Sequence, residues 1–134
     1  MRRGYARPKG SKYLNKKVAI DGHEFASKKE AKRYQDLVLL LNAGEITDLR
    51  LQVSYELIPA QKEPDTRGPK GGVRPGKTIE RACFYVADFV YRDKEGRLVV
   101  EDVKGYRGNT GAYSLFKIKK KLMLYVHGIS VKEV

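Results

Sequence analysis

The chain has 134 residues, with 28 Lys and Arg against 16 Asp and Glu, and a formal net charge of +12 at pH 7. A chain of this length is expected to form one domain around a single core, and its charge favours a polyanion, above all nucleic acid, as its partner. The single cysteine, Cys83, excludes an intramolecular disulfide and a cysteine-rich zinc site, and it fits a reducing cytoplasm. The basic start precedes no apolar stretch and no apolar run is long enough to cross a bilayer, so we expect neither secretion nor membrane binding.

The N-terminal segment is basic and is followed by a hairpin signal. Residues 1–17 are rich in Arg, Lys and Gly and predict a mobile arm, for which phosphate contact and a plain solvated tail are equal alternatives. Asp21-Gly22 lies between two short β-prone runs over residues 17–25. Because Asp-Gly favours a two-residue turn, this segment predicts a short hairpin.

A helix and a strand are expected next. Ser27 followed by Glu30 fits a capping box, in which the two side chains bond each other's backbone N–H groups. We therefore predict a helix from about residue 28 to residue 43, ended by Gly44. Residues 52–58 alternate between apolar and polar side chains until Pro59 and predict a strand.

Residues 62–78, KEPDTRGPKGGVRPGKT, predict a long, flexible, basic loop because they are dense in Gly, Pro and cations. Within the loop, GGVRPGKT matches the phosphate-binding pattern G-x-x-x-x-G-K-[ST]. That pattern binds phosphate only between a strand and a helix, whereas here Pro75 removes an N–H group and a strand follows, so we expect no nucleotide cofactor. The cations of the loop are expected to contact the DNA backbone, the alternative being that they only improve solubility. They are Lys70, Arg74 and Lys77.

Acidic side chains interrupt the next two strands, which are predicted near residues 81–91 and 97–104 and are joined by the three-residue turn KEG. This turn places Asp88 opposite Asp102, and like charges in that position are destabilising unless something compensates them. A divalent cation is such a compensator. Lys104 is two residues from Asp102 and shares its face.

The choice of acid follows from the alternation of side chains along a strand. Asp88 is expected on one face with Phe84, Val86 and Val90. Glu101 points to the other face, so Asp102, which shares a face with Lys104, is the preferred partner of Asp88. Mg²⁺ is usually held by one or two carboxylates and a substrate phosphate, which this pair can supply. The alternative is an exposed surface pair of Asp102 and Lys104 that contributes little.

The C-terminal part of the chain predicts a helix over about residues 114–126, a stop at Gly128 and a strand over residues 129–134, which completes the order α-β-β-β-α-β. No acidic residue occurs between Lys104 and Lys132. A stretch of one charge sign beside a metal site suits a phosphate backbone. The candidate DNA contacts here are Arg107, Lys117, Lys120 and Lys121.

Together these features resemble the PD-(D/E)XK nuclease superfamily, and in particular small, phage-encoded, resolvase-like endonucleases. The resemblance covers about residues 11–134 and rests on FASKKEAKRY, YVADFVYRD and VVEDVKG in this element order. It implies a single nuclease domain with a restriction-endonuclease-like, three-layer α/β core and a mixed sheet, preceded by the short hairpin. The proline that the family places before its first Asp is absent, since Ala87 stands there.

The resemblance also implies a role for each site residue. Asp88 and Asp102 hold Mg²⁺, with Mn²⁺ as a substitute, the Val103 carbonyl is a further ligand, and Lys104 orients or activates the water. Glu30 completes the metal site. On the helix Glu30 faces inward, but a role limited to the capping box fits the pattern equally well.

The function implied is that of a Mg²⁺-dependent endodeoxyribonuclease in the cytoplasm, that of the host cell if the gene is a phage gene. Branched DNA of the Holliday-junction type, in phage recombination or replication, is the expected substrate. The alternative is a non-catalytic DNA- or RNA-binding accessory protein with the same fold. The sequence leaves the oligomeric state open, a homodimer included.

Overall fold

The computed structural model describes residues 17–105 and 110–134. The predicted basic arm, apart from Lys17, and Arg107 lie outside these residues. In chain order the described elements are β1 (Val18–Ile20), β2 (His23–Phe25), α1 (Lys28–Asn42), β3 (Thr47–Ile58), β4 (Gln61–Lys62), β5 (Thr66–Arg67), β6 (Val73–Arg74), β7 (Thr78–Glu80), β8 (Cys83–Arg92), β9 (Leu98–Asp102), α2 (Gly111–His127) and β10 (Lys132–Glu133).

The predicted hairpin and the ends of the first helix are confirmed. β1 and β2 pair antiparallel through a turn in which Asp21 and Gly22 have positive φ angles of 52° and 77°. At the start of α1 the Ser27 hydroxyl accepts a hydrogen bond from the Glu30 N–H at 3.1 Å. Gly44, with φ of 76°, follows the C-cap and reverses the chain.

The second helix begins earlier than predicted, at Gly111, because Thr110 acts as its N-cap and accepts a hydrogen bond from the Tyr113 N–H at 3.2 Å. Gly128 ends it in a left-handed conformation, as predicted. Within the described part of the chain, neither helix is long and apolar enough to cross a membrane.

The main sheet is mixed and has the strand order β10-β9-β8-β3. β3, β8 and β9 are antiparallel neighbours, and β10 runs parallel to β9. β3 begins at Thr47 instead of residue 52. A register shift and a positive φ at Asp48 interrupt the alternation of apolar and polar side chains in its first residues, so the sequence pattern gave no strand signal there. β10 is shorter than the predicted strand because only Lys132 and Glu133 pair with β9.

The two helices pack on opposite faces of the sheet. On β8, Phe89 and Tyr91 belong to the hydrophobic cluster that α1 covers, whereas their neighbour Val90 belongs to the cluster that α2 covers. Since successive residues of a strand point to opposite faces, each helix buries one side of the β8–β9 pair. Over residues 17–105 and 110–134 the architecture is therefore mixed α/β, with a mixed sheet and two helices.

The burial pattern of the long strands changes phase at Asp88. Before this residue, Tyr85 and Ala87 pack in the α2 cluster, but after it Phe89 and Tyr91 pack in the α1 cluster. Strict alternation would place all four side chains on one face. The odd-numbered side chains of β8 therefore point toward α2 before Asp88 and toward α1 after it.

The prediction that Phe84, Val86, Asp88 and Val90 share one face is consequently wrong. Phe84 and Val86 are 45% and 47% exposed, whereas Val90 is buried against α2. The β3–β8 ladder is irregular beside Asp88, because Gln52 has a positive φ of 52° and lies unpaired between the pairs Leu51↔Phe89 and Val53↔Ala87. A positive φ turns the following side chains relative to the preceding ones.

The predicted flexible loop over residues 62–78 instead contains two short ladders. β4 pairs with β7 and β5 pairs with β6, so the chain leaves β3 and returns to β8 along a two-stranded ribbon. Alternating apolar residues are absent here, which is why the sequence pattern gave no strand signal. Thr78 of the GGVRPGKT segment begins β7, so the strand-to-helix context of a phosphate-binding loop is missing, as predicted.

A buried ion pair attaches α1 to β9. Glu101 is fully buried, and Arg33 donates to its carboxylate twice, at 2.9 and 2.6 Å. Tyr91 donates to the same carboxylate, and Lys132 lies 3.8 Å away. Burial alone raises the pKa of Glu101, but the Arg33 and Tyr91 hydrogen bonds outweigh it and hold the pKa below its usual value.

Removing this charge should destabilise the fold. Glu101→Gln leaves the Arg33 guanidinium without its partner in a partly buried place, so we expect the free energy of unfolding to fall by about 2–4 kcal/mol. Denaturant titration at pH 7 measures this. The matched control Glu95→Gln removes an exposed acid that pairs with Arg97 at 3.3 Å and should change stability little. Equal stability of Glu101→Gln and wild type would show that the ion pair does not hold α1.

Candidate active site

The acidic residues meet where β8 and β9 separate. The β8–β9 register ends at the pair Phe89↔Glu101, and one further step places Asp88 opposite Asp102, as predicted. Asp88 Oδ2 accepts a hydrogen bond from the Val103 N–H at 2.8 Å. This bond draws the chain after β9 toward Asp88, and it uses the N–H of Val103, whose carbonyl is the predicted ligand.

Asp102 and Lys104 form a close and largely buried pair. Lys104 Nζ lies 2.7 Å from Asp102 Oδ1, and the side chains are 20% and 8% exposed. Tyr85 donates its hydroxyl to Asp102 Oδ2 at 2.8 Å. The ammonium of Lys104 also lies 3.6 Å from the centroid of the Phe116 ring. The alternative that Asp102 and Lys104 form an exposed surface pair is therefore wrong, because both side chains are largely buried and have further contacts.

Glu30 reaches the same region from the first turn of α1. It is buried, with 8% of its surface exposed. Gln52 Nε2 lies 3.3 Å from Glu30 Oε1 and 3.2 Å from Asp88 Oδ1, so one side-chain amide bridges the two carboxylates. An open cleft of about 650 Å³ between α1 and β3 gives solvent access to Glu30 and Gln52. The inward orientation predicted for Glu30 thus brings it close to Asp88.

The carboxylates of Glu30, Asp88 and Asp102 repel one another. Burial raises the pKa of Glu30 to about 7, the charges of Asp88 and Asp102 add to the rise, and the Ala26 backbone N–H opposes it. Burial also raises the pKa of Asp88; the Val103 N–H and the Gln52 amide act against this, and the charge of Asp102 adds to it. A protein region that keeps several acids together against repulsion favours a bound proton or cation.

The residues fit a divalent cation by their chemistry. Among residues 17–105 and 110–134, no three His, Cys, Asp or Glu side chains converge as a ready metal site. Lys104 contacts a carboxylate oxygen of Asp102, and Gln52 contacts one oxygen each of Glu30 and Asp88. These are oxygens that a bound cation would coordinate. Mg²⁺ is commonly held by only one or two carboxylates, with water and substrate phosphate completing its shell. Asp88 with Asp102 or Glu30 supplies such a set.

Sequence reasoning missed three residues of this region. Gln52 lies between the ladder pairs Leu51↔Phe89 and Val53↔Ala87, so only the strand register reveals that it faces Asp88. Tyr85 is a buried aromatic that the pattern assigns to the core. Lys29 donates its ammonium to the Lys104 carbonyl, a contact between residues far apart in sequence. A polar residue inside an alternating strand was the one available signal, and it applied to Gln52.

The other predicted DNA contacts lie on α2 and on the segment between β4 and β7. Lys117, Lys120 and Lys121 line a cleft of about 330 Å³ on α2. Lys120 is paired with Glu133 at 3.1 Å, and Lys117 lies 5.0 Å from the centroid of the Tyr113 ring. Lys70, Arg74 and Lys77 lie on the ribbon between β4 and β7, and Arg107 is outside the described residues.

The sequence profile of one protein family matches residues 10–131, and the chain belongs to that family, which is described as a protein of unknown function, DUF1064. No curated protein matches the chain, and no solved structure matches it. The matched range includes Glu30, Asp88, Asp102 and Lys104. The family therefore identifies the chain, and its activity has to be argued from the side chains themselves.

The raised pKa of Glu30 predicts a pH-dependent stability. The folded protein binds this proton more tightly than the unfolded chain, so stability is highest below the usual value of 4.5 and decreases until the pH passes about 7. Glu30→Gln removes this decrease. At pH 8 and in EDTA we expect the variant to be more stable than wild type by up to about 3 kcal/mol, with a much smaller difference at pH 4.5.

Denaturant unfolding at the two pH values measures the effect. Ser27→Ala is the control, because it removes the helix cap and should cost about 1 kcal/mol at both pH values. If Glu30→Gln shows the same loss at both pH values, then Glu30 serves the helix end and is not held against other acids.

Proposed function

We propose that this protein is a Mg²⁺-dependent endodeoxyribonuclease with the restriction-endonuclease-like, three-layer arrangement that the resemblance implies. The observation that carries the proposal is the meeting of Asp88 and Asp102 at the fork of β8 and β9, with Lys104 on Asp102. Two acids that can hold a metal ion and a lysine beside them suit phosphodiester hydrolysis by a metal-bound water. The excess of basic residues supplies affinity for the DNA backbone.

Each residue has a role in the proposed reaction. Asp88, Asp102 and Glu30 would hold Mg²⁺, together with the Val103 carbonyl. When bound, the ion would stabilise negative charge on the phosphate and lower the pKa of a bound water molecule. The Lys104 ammonium, released from Asp102, orients that water or stabilises the negative charge of the phosphate oxygens. Tyr85 keeps the Asp102 carboxylate in place through its hydroxyl.

Gln52 has a positioning role in this proposal. Its amide donates toward both Glu30 and Asp88, and so it keeps the two carboxylates directed at one another before the ion binds. A side chain that holds ligands in position reduces the ordering required when the metal enters. Branched DNA is the proposed substrate, by resemblance to resolvase-like enzymes.

A second candidate is a non-catalytic nucleic-acid-binding protein with a nuclease-like fold. The observation in its favour is the direct ion pair of Lys104 with Asp102 at 2.7 Å, which neutralises one acid without any metal. In such a protein the acids would be structural, and DNA or RNA would bind through the basic surfaces alone.

Cleavage assays separate the two candidates. On four-way-junction, linear duplex and single-stranded DNA with Mg²⁺ or Mn²⁺, we expect cleavage that EDTA abolishes. Asp88→Asn, Asp102→Asn and Lys104→Ala should each lower the rate by on the order of 100-fold or more, since each removes a charge required only at the reacting phosphate. DNA binding, measured in EDTA, should stay close to that of wild type.

The controls are Asp36→Asn and Lys32→Ala, which remove the same side-chain charges from an exposed pair on α1. Both should cleave normally. Undiminished cleavage by Asp102→Asn, together with loss in a folded Glu101→Gln, would identify Glu101 as the acid. Wild-type protein that binds all three DNAs and cleaves none of them with either metal would favour the accessory protein.

A further inference from the structure

Residues 61–80 form a projecting two-stranded structure, which we call the basic ribbon. It continues the antiparallel pair β3–β8 beyond the sheet through the ladders Gln61↔Glu80 and Lys62↔Thr78, and then Thr66↔Arg74 and Arg67↔Val73. Its side chains are exposed, and only the two glycines Gly68 and Gly76 are half-buried. The ribbon therefore adds nothing to the hydrophobic core, and a role in binding has to be considered.

The contacts between its strands give the ribbon a fixed shape. Glu63 N–H donates to the Lys77 carbonyl at 2.8 Å, and Gly76 N–H donates to Asp65 Oδ1 at 2.8 Å. At Gly76 a Cβ atom would lie 1.7 Å from the Glu63 carbonyl oxygen, so only glycine allows the two strands to approach this closely. A bound partner consequently meets a preformed surface and need not order a loose chain.

The outer part of the ribbon carries charge of one sign. Between Thr66 and Lys77 there are four cations and no acidic residue. The acid just before this part, Asp65, is engaged with a backbone N–H group of the ribbon. The four cations are Arg67, Lys70, Arg74 and Lys77. Within residues 17–105 and 110–134 none of them forms an ion pair, so their charge is available to an anionic partner.

The shape and the charge fit the major groove of B-form DNA. Two paired strands lie about 4.8 Å apart, and with their side chains they match a groove about 12 Å wide, which admits a two-stranded ribbon. Cations along such a ribbon reach the phosphates on both sides of the groove. Double-stranded RNA is a poorer fit, because its major groove is deep and narrow.

The length of the ribbon sets its distance from the acids. Arg74 precedes Asp88 by 14 residues, so it lies at most about 50 Å from the site along an extended chain. One turn of duplex DNA is about 34–36 Å long. The outer ribbon can thus contact DNA roughly one helical turn from a phosphate bound at Asp88.

We propose that the basic ribbon lies in the major groove of a duplex flank about one helical turn from the phosphate that the acids bind. The proposal rests on the proposed nuclease function, and it specifies the substrate as DNA with a continuous duplex arm of about 10–13 base pairs on one side of the bound phosphate. Single-stranded DNA and RNA duplexes lack the groove that the ribbon requires.

Binding measurements in EDTA test the proposal without cleavage, so its failure can be told apart from failure of the nuclease function. Fluorescein-labelled DNA duplexes of increasing length, single-stranded DNA of the same sequence and an RNA duplex serve as probes. We expect the affinity to rise up to a duplex length of about 13 base pairs and to be lower for the other two nucleic acids. Equal affinity for the DNA and RNA duplexes would contradict the proposal.

Two variants locate the effect in the ribbon. Lys70→Ala/Arg74→Ala/Lys77→Ala should weaken binding by roughly 10- to 100-fold and reduce the slope of log K against log salt by up to about 2.7. Replacement of residues 63–77 by Asn-Gly joins the paired residues Lys62 and Thr78 through a two-residue turn and removes the outer ribbon. It should lose the same affinity. Binding by either variant within twofold of the control would overturn the proposal.

The control is Lys32→Ala/Lys94→Ala/Arg97→Ala, which removes three exposed cations outside the basic arm and the ribbon and changes the net charge equally. The groove itself is tested by the reaction of dimethyl sulfate with guanine N7, an atom of the major groove. We expect wild-type protein to protect guanines in the flank and the Asn-Gly variant to leave them reactive. Unchanged guanine reactivity with bound wild-type protein would place the ribbon outside the major groove.

Discussion

The buried ion pair between Arg33 and Glu101 is the contact on which the candidate site depends. It joins α1 to β9 with two short hydrogen bonds to a carboxylate that has no exposed surface. Glu30 lies one turn before Arg33 on the helix, and Asp102 follows Glu101 on the strand. One ion pair therefore fixes the helix that carries one acid against the strand that carries another. The adjacent acids Glu101 and Asp102 point to opposite faces, and their functions differ accordingly.

The site concentrates negative charge in a strongly basic protein. Burial of Glu30, together with the nearby charges of Asp88 and Asp102, raises the pKa of Glu30 to about 7. Neutral and positive groups compensate part of the repulsion, namely the Gln52 amide, the Tyr85 hydroxyl and the Lys104 ammonium. Core packing and the Arg33 ion pair supply the stability that keeps the acids together. Because the repulsion among these acids destabilises the fold, a role in binding explains their arrangement better than a role in folding does.

Most signals that act over a few residues predicted the structure correctly, although the Thr110 cap that starts α2 was missed. Ser27 and Gly44 limit α1, Gly128 ends α2, and the KEG turn fixes the register of β8 and β9, because caps and tight turns depend on nearby backbone geometry. Since the turn sets the register, the opposition of Asp88 and Asp102 followed from it. The burial of the Lys104–Asp102 pair, by contrast, required knowledge of Phe116 and Tyr85, which approach from elsewhere in the chain.

Features that arise between distant segments were missed. The positive φ of Gln52 and the change of side-chain direction at Asp88 occur where β3 pairs with β8, and the local sequence of neither strand predicts them. The order of the basic ribbon likewise comes from cross-strand contacts of Gly76 with Glu63 and Asp65, in a segment whose composition resembles a loop. The composition of residues 62–78 thus predicted the charge of the ribbon correctly, but its predicted conformation, a flexible loop, was wrong.

The central claim is that the acids at the fork of β8 and β9 bind a divalent cation. Electron paramagnetic resonance of Mn²⁺ titrated into the protein without DNA tests it most directly, because free and bound Mn²⁺ give different signals. We predict a bound ion in wild type that is lost in Asp88→Asn and in Asp102→Asn, and retained in Asp36→Asn. Equal Mn²⁺ binding by all four proteins, or none by wild type, would contradict the claim that these carboxylates form a metal site.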